Sequence, residues 1–440
     1  MAKRTTSVVG AGRLLAAAFL IGSLVLVQPD PVAAQQAAVD AMEVAPRFTA
    51  MASAIATGDS ARLADFWRTT AETGTPLVEP DPEHPGFSIV TFVARGGPGV
   101  RRLRVESNLT SVLVGDSFKL PDDLGWMKHV PNTDVWHLSL RVRDDLRVPY
   151  RLATVTTDGE STSDVDPYNP KVWEPGVDAL RASILELPEA PPQPWRNVSG
   201  DEGKGDWDEL TDDETGRSVY VYKPVGWRAE RPRPYPLLIG LGAFGHGIGM
   251  RVDRMVDTLI ATGELPMTVV ALVDLAGGDE ATRYEATGDF ILDELLPYLR
   301  DTYGVTSEPA EVVVSGTSRR GMVAALLAFE HPDVFGNVLS LSGSYYWRPD
   351  DVPEFEWVPR RYAFAERRPV RFYLAAGELE TFVTPGNHGH YLVATNRHMR
   401  DVLVARGYDL EYVEFNGVHS ELNWQDWLAA GLEHFLGSPP

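Results

Sequence analysis

Cysteine is absent from all 440 residues. That excludes thiol nucleophiles, thiolate metal ligation and disulfide staples, so packing and hydrogen bonds must hold every element. Positive charge is scarce: 40 Lys and Arg against 62 Asp and Glu leave a formal net charge of −22, which repels nucleic acid and anionic membrane surfaces. Long apolar runs are missing beyond the first 34 residues. There Lys3, Arg4 and Arg13 accompany a short apolar stretch from Leu14 to Val27, and Val32-Ala33-Ala34 offers a small-residue cleavage site. The pattern predicts a signal peptide over 1–34 and a mature start at Gln35, two charges more negative. The expectation is an exported chain, periplasmic or secreted, with no membrane contact after cleavage.

What is present is enough apolar residue, 44%, for more than one core. Residues 35–75 are alanine-rich, with Met51, Ile55, Leu63, Phe66 and Trp67 at helical spacing, and predict a helical lead-in. Residues 76–172 change to short alternating runs such as FSIVTFVAR and VWHLSLRV between Gly, Pro, Asp and Asn, which predicts a small antiparallel β-sandwich. Residues 173–215 hold a proline-rich stretch, Leu185 to Trp195, and an acidic one, Asp201 to Thr215, read as an extended linker and an exposed loop. Residues 216–440 alternate apolar strands with helices, predicting a mostly parallel sheet with helices on both faces.

Chemistry concentrates at the ends of those strands. Val312 to Val314 read as a buried strand, Ser315-Gly316-Thr317 as a sharp turn and Gly321 to Phe329 as a helix, with Ser318 at the corner. This is the layout of the α/β-hydrolase nucleophile elbow, which lifts a serine hydroxyl above the sheet and points helix amides at an oxyanion. A serine before a helix is otherwise an N-cap. The usual G-x-S-x-G reads here Gly316, Thr317, Ser318, Arg319, Arg320, with glycine only at 321. An earlier glycine-rich loop, Gly240 to Gly247, can aim an amide at the same oxyanion; without a following Gly-Lys-Ser/Thr it is no phosphate loop. Later, Glu378 and Glu380 follow one strand and His419 another, giving the order serine, acid, histidine.

The tail His331-Pro332, Phe335-Gly336, Val338 to Ser340, Ser342 to Ser344 and Trp347 resembles the enterochelin-esterase branch of the esterase D-type α/β-hydrolases. "TFVARG", "NTDVWHLSLRV", "DPYNP" and the connector "LELPEAPPQPW" resemble the N-terminal half of the same enzymes. The resemblance implies Ser318 as nucleophile, His419 as base and Glu380 as triad acid, with Glu378 as runner-up. It also implies oxyanion amides at Ala243 and Arg319, since Gly242 matches the glycine of the family's "DG" while Leu241 replaces its aspartate. Gly242, Phe244, Arg320, Tyr345 and Trp347 are then the expected substrate contacts, the aromatics stacking on catechol rings. The family pattern "GGHD" becomes Gly417-Val418-His419-Ser420 here. The implied substrate is a small-molecule ester such as a ferric catecholate siderophore trilactone, cleaved without metal or organic cofactor; His388 and His390 read as loop residues. Feruloyl, acetyl-xylan and general carboxylesterases share the branch. Arg320 divides the expectation: either Arg319 and Arg320 favour anionic substrates, or a bulky corner distorts the turn and leaves a non-catalytic binding protein. Survival of Ser318, His419 and a carboxylate favours the first.

Overall fold

The computed structural model describes residues 45–107, 125–175, 177–197, 204–211, 217–274, 280–381 and 390–437. The expected leader lies outside them. Among the described residues two helices come first, α1 (Pro46–Ile55) and α2 (Ser60–Thr73). Asp59 caps α2, its carboxylate accepting from the amides of Ala61 and Arg62, the usual role of a short acidic side chain there. Phe66 and Trp67 of α2 pack with Phe48 and Ile55 of α1.

Nine strands follow: β1 (Leu77–Pro80), β2 (Phe87–Arg95), β3 (Val100–Glu106), β4 (Lys128–His129), β5 (Val135–Arg143), β6 (Arg147–Thr156), β7 (Ser161–Asp164), β8 (Val172–Trp173) and β9 (Ala182–Glu186). They form two antiparallel sheets, β1-β2-β5-β4 and β3-β6-β9-β8, with β7 beside β6. Period-two alternation explains the layering. In β2, Ile89 and Val93 face the lead-in helices, while Val90, Phe92 and Ala94 face the second sheet. Strand β9 carries this unit into the stretch expected to be linker.

The acidic stretch also differs from expectation. Asp206–Thr211 is a strand, β10, paired along its length with β11 (Ser218–Lys223). Its Asp-Trp-Asp-Glu-Leu-Thr alternation lets Leu210 reach the core, and charge suits an edge strand because it discourages pairing with another chain.

The remaining elements are β12 (Leu237–Leu241), a π-helical turn (Phe244–Gly249), α3 (Val252–Thr262), β13 (Val269–Val273), α4 (Glu280–Phe290), a second π turn (Ile291–Leu295), α5 (Leu296–Tyr303), β14 (Val312–Thr317), α6 (Arg319–Glu330), β15 (Asn337–Leu341), α7 (Trp357–Phe364), β16 (Arg371–Gly377), α8 (Leu392–Ala405), β17 (Asp409–Phe415) and α9 (Glu421–Leu436). The sheet order is β10-β11-β13-β12-β14-β15-β16-β17, parallel from β13 to β17. Central strands are apolar throughout because both faces are covered. Val313 packs toward α3 and α9, whereas Val312 and Val314 pack toward α5, α6, α7 and α8. Burying each of these valines contributes about 1.5–3 kcal/mol. Among the described residues, no helix is long and apolar enough to cross a membrane.

Candidate active site

Sheet order alone brings four side chains together. The adjacent parallel strands β14, β15, β16 and β17 run into Ser318, Ser342, Glu380 and His419 at their carboxyl ends, the crevice where such sheets bind ligands. Ser318 has φ 53° and ψ −122°, a strained conformation for a non-glycine residue. The strain is accommodated by neighbours with no side chain. A Cβ on Gly316 would lie 2.2 Å from the Arg320 carbonyl oxygen, and one on Gly321 would lie 2.7 Å from Ser340 Oγ. The elbow therefore needs glycine at 316 and 321, and position 320 can be large. The feared distortion by Arg320 is absent. Ser318 Oγ lies 3.3 Å from Ser344 Oγ, and the Ser344 amide donates to the Ser318 carbonyl.

The acid and the histidine meet as well. His419 Nδ1 lies 3.4 Å from Glu380 Oε1, and the same oxygen accepts the Ser342 hydroxyl at 2.7 Å. Glu380 is fully buried. Ser342 in turn accepts the Trp424 indole N–H at 2.9 Å, and the Trp424 ring stands edge-on to the imidazole with centroids 4.7 Å apart. Trp424 thus contacts the histidine directly and, through Ser342, holds its acid. Ser342 was not singled out in the sequence; its only signal was a place in the Ser-Gly-Ser run. Glu378 faces elsewhere, accepting from Arg143 of β5 at 2.7 Å. Burial raises the Glu378 carboxyl above its usual range, with the Arg143 charge opposing.

Both departures from the family's histidine pattern have a physical reason here. Val418 is buried in the core of the β-sandwich, where Leu379 also packs, so the residues preceding His419 and Glu380 are both seated in the N-terminal domain. Ser420 caps α9, its Oγ accepting the Leu422 amide. The turn between β5 and β6 and the first residue of β6 reinforce this seat. Asp145 accepts from Asn416 at 2.6 Å, and the Arg147 carbonyl accepts from Asn423 at 2.6 Å.

Three expected contacts are corrected. The Ala243 amide, expected in the oxyanion hole, donates to Asp274 Oδ1 at 2.9 Å. Tyr345 is fully buried with its hydroxyl on Ser340 Oγ, so it belongs to the core and cannot stack on a ligand. Trp347 packs edge-on against Tyr284 and Trp357. Arg319 begins α6, where the first amides have no intrahelical acceptor, and Phe244 is 38% exposed. Phe244 and Ala243 line a cavity of about 580 Å³ together with Trp207, Tyr220, Ile248 and Asp274. Gly242, at φ +95°, lies against the Arg320 side chain.

His246, unremarked in the sequence, is buried beneath that loop, with Nε2 3.1 Å from Ser315 Oγ. Burial, aided by the Arg320 charge, pushes its pKa down to about 4, so it props the loop as a neutral ring. His390 stacks on Tyr346; His388 lies outside the described residues. Among the described residues, no group of three or more His, Asp or Glu is placed to hold a metal ion.

Known proteins resemble both halves of the chain. The putative esterase family matches residues 214–435, and the enterochelin esterase N-terminal family matches 89–196. An iron(III) enterobactin esterase of Dickeya dadantii is 25% identical over 420 residues, spanning 84% of this chain and 92% of that one. An iron(III) salmochelin esterase of Escherichia coli O6:H1 is 25% identical over 412 residues, spanning 86% and 95%. The crystal structure of the ferric enterobactin esterase of Salmonella typhimurium superposes with a TM-score of 0.67 at 24% identity, over 84% of this chain and 98% of that one. On the matched span and the shared fold, the chain belongs to the putative esterase family and is an ester hydrolase with an N-terminal domain of the enterochelin esterase type.

Proposed function

We propose that the protein is an exported serine esterase that cleaves catecholate siderophore trilactones through an acyl-enzyme. The observation that carries the mechanism is the contact of His419 with buried Glu380, one loop series away from a strained Ser318. Ser318 Oγ attacks the ester carbonyl as His419 takes its proton. Glu380 holds the imidazole's tautomer and stabilises the imidazolium. The tetrahedral intermediate collapses as His419 protonates the leaving alkoxide, and water then hydrolyses the acyl-serine by the same relay. The Arg319 amide at the start of α6 is one oxyanion donor.

The substrate reading rests on the relatives, which are named for iron(III) enterobactin and iron(III) salmochelin. Two features of this chain support it. The cavity lined by the Ala243–Phe244 loop carries Phe244, Trp207 and Tyr220, faces on which aromatic groups stack. Arg319 is exposed at the corner and, with Arg320, sets a local positive field within a chain of net charge −22, offsetting its repulsion of an anionic ferric complex. The export reading rests on residues 1–34.

Hydrolysis of p-nitrophenyl acetate and butyrate by the protein, with Ser318→Ala and a phosphonate label alongside, tests the mechanism. Turnover lost in Ser318→Ala, with the label on Ser318, is the expected result; equal turnover in the variant would refute the serine mechanism. A 2,3-dihydroxybenzoylserine trilactone compared with a feruloylated glycan tests the substrate, the trilactone giving the higher kcat/KM. N-terminal sequencing of exported protein is expected to begin at Gln35.

A further inference from the structure

We propose that the Arg320 guanidinium takes the place of the Ala243 amide as the second group facing the tetrahedral oxyanion. The inference deepens the serine esterase reading and rests on it. Strands β12 and β14 pair with Leu241 opposite Gly316, so the loop residues Gly242 and Ala243 continue level with Thr317 and Ser318. The donor expected on that side, the Ala243 amide, is taken by Asp274, and a carboxylate at this point disfavours a developing negative charge.

Arg320 supplies the compensating charge from the other side of the gap. Its Cδ, Nε and Cζ lie 2.6, 2.6 and 2.9 Å from where a Cβ on Gly242 would stand, so the side chain runs across the loop and only glycine leaves room for it. Its Nε is enclosed and has no hydrogen-bond acceptor. The enclosed Nε fixes the stem against the loop, and because the residue as a whole is partly exposed, the outer part of the guanidinium is what an anion would meet. His246, the titratable side chain behind the loop, is neutral and cannot compete for the role. The glycine found at this position in the usual elbow has no side chain to offer. Replacing it by arginine removes nothing the turn needs, because Gly316 and Gly321 provide the clearance.

The electron flow is simple. As the Ser318 Oγ–carbon bond forms, the carbonyl π pair moves onto oxygen and is stabilised by the guanidinium; on collapse the pair returns and the leaving alkoxide takes its proton from His419. Arg320 transfers no proton.

The test compares wild type, Arg320→Gly and Arg320→Lys on the neutral ester p-nitrophenyl acetate, with melting temperatures recorded for each. Loss of one preorganised oxyanion donor lowers kcat roughly 10²–10³-fold with KM little changed. Arg320→Gly is expected to show that loss, Arg320→Lys a smaller one, and millimolar guanidinium is expected to restore part of the Arg320→Gly rate. A folded Arg320→Gly with wild-type kcat on the neutral ester overturns the proposal. So does a loss confined to KM for carboxylate-bearing esters, which would make Arg320 a substrate clamp, and so does an Arg320→Lys as slow as Arg320→Gly with no response to guanidinium. The Ser318→Ala control separates this failure from that of the serine mechanism, which alone predicts a dead Ser318→Ala whatever residue 320 does.

Discussion

The roles of Glu378 and Glu380 differ although only Leu379 separates them. Glu380 shares one oxygen between His419 and Ser342, while Glu378 pairs with Arg143. Glu380→Gln is expected to lower kcat roughly 10³–10⁴-fold, as the loss of tautomer control does in triads, whereas Glu378→Gln should keep kcat within a fewfold; steady-state kinetics on p-nitrophenyl butyrate reads both. Ser342→Ala removes a donor to a buried carboxylate and the acceptor of Trp424. It should lower kcat roughly 10-fold or more, with destabilisation of about 1–3 kcal/mol from the groups left unpaired. Residue type and order made Ser318, His419 and the acid pair legible in the sequence. The family resemblance ranked Glu380 ahead of Glu378; that Glu378 pairs across the domains was not legible, because Arg143 lies 235 residues away from it in the chain.

At the scale of elements, the strand–turn–helix around Ser318 works through close approach. Gly321→Ala would place a methyl 2.7 Å from Ser340 Oγ and 2.9 Å from the Gly316 carbonyl oxygen. Overpacking of this kind costs about 1–3 kcal/mol, and urea unfolding is expected to show it together with loss of activity, because the shift falls on the elbow itself. Parallel strands read clearly from their apolar runs, and β12, β13, β14 and β16 lie where the runs of LLIGL, VVALV, VVVSG and YLAAG predict them. Strand β10 did not, since Asp, Glu and Thr dominate it and Leu210 is the one apolar residue on its inward face, Trp207 lying on the other. Tyr345 misled for a related reason. An aromatic after a strand end can line a pocket or plug a core, and here Ser340 offers its hydroxyl a buried partner.

For the whole molecule, the contact between the domains carries a pH signature. Asp426 of α9 faces Arg147 of β6 at 3.0 Å, with Glu186, Arg196 and Lys171 in the same network. Burial raises the Asp426 pKa from 3.8 to about 7 against the pull of Arg147. The folded state therefore holds a proton that the unfolded chain releases near 3.8, and stability falls as pH rises from about 4 to 7. Glu186, lowered to about 2 chiefly by its bonds to Lys171 and Arg147 against burial, acts oppositely in a separate window below about 4.5. The melting temperature of wild type relative to Asp426→Asn should fall as pH rises from 5 to 8, a comparison in which the opposite contribution of His246, whose pKa is about 4, cancels.

Val418 and Leu379 have a wider consequence. Because they sit in the sandwich core while their neighbours His419 and Glu380 form the acid–histidine contact, the two halves, each with its own core, are coupled at the site itself and should unfold as one cooperative unit. Calorimetry should find a single transition at which activity and tertiary structure vanish together. A fragment beginning at residue 204 would expose an apolar plug where the sandwich had been, and it should be recovered as aggregates instead of a working half-enzyme.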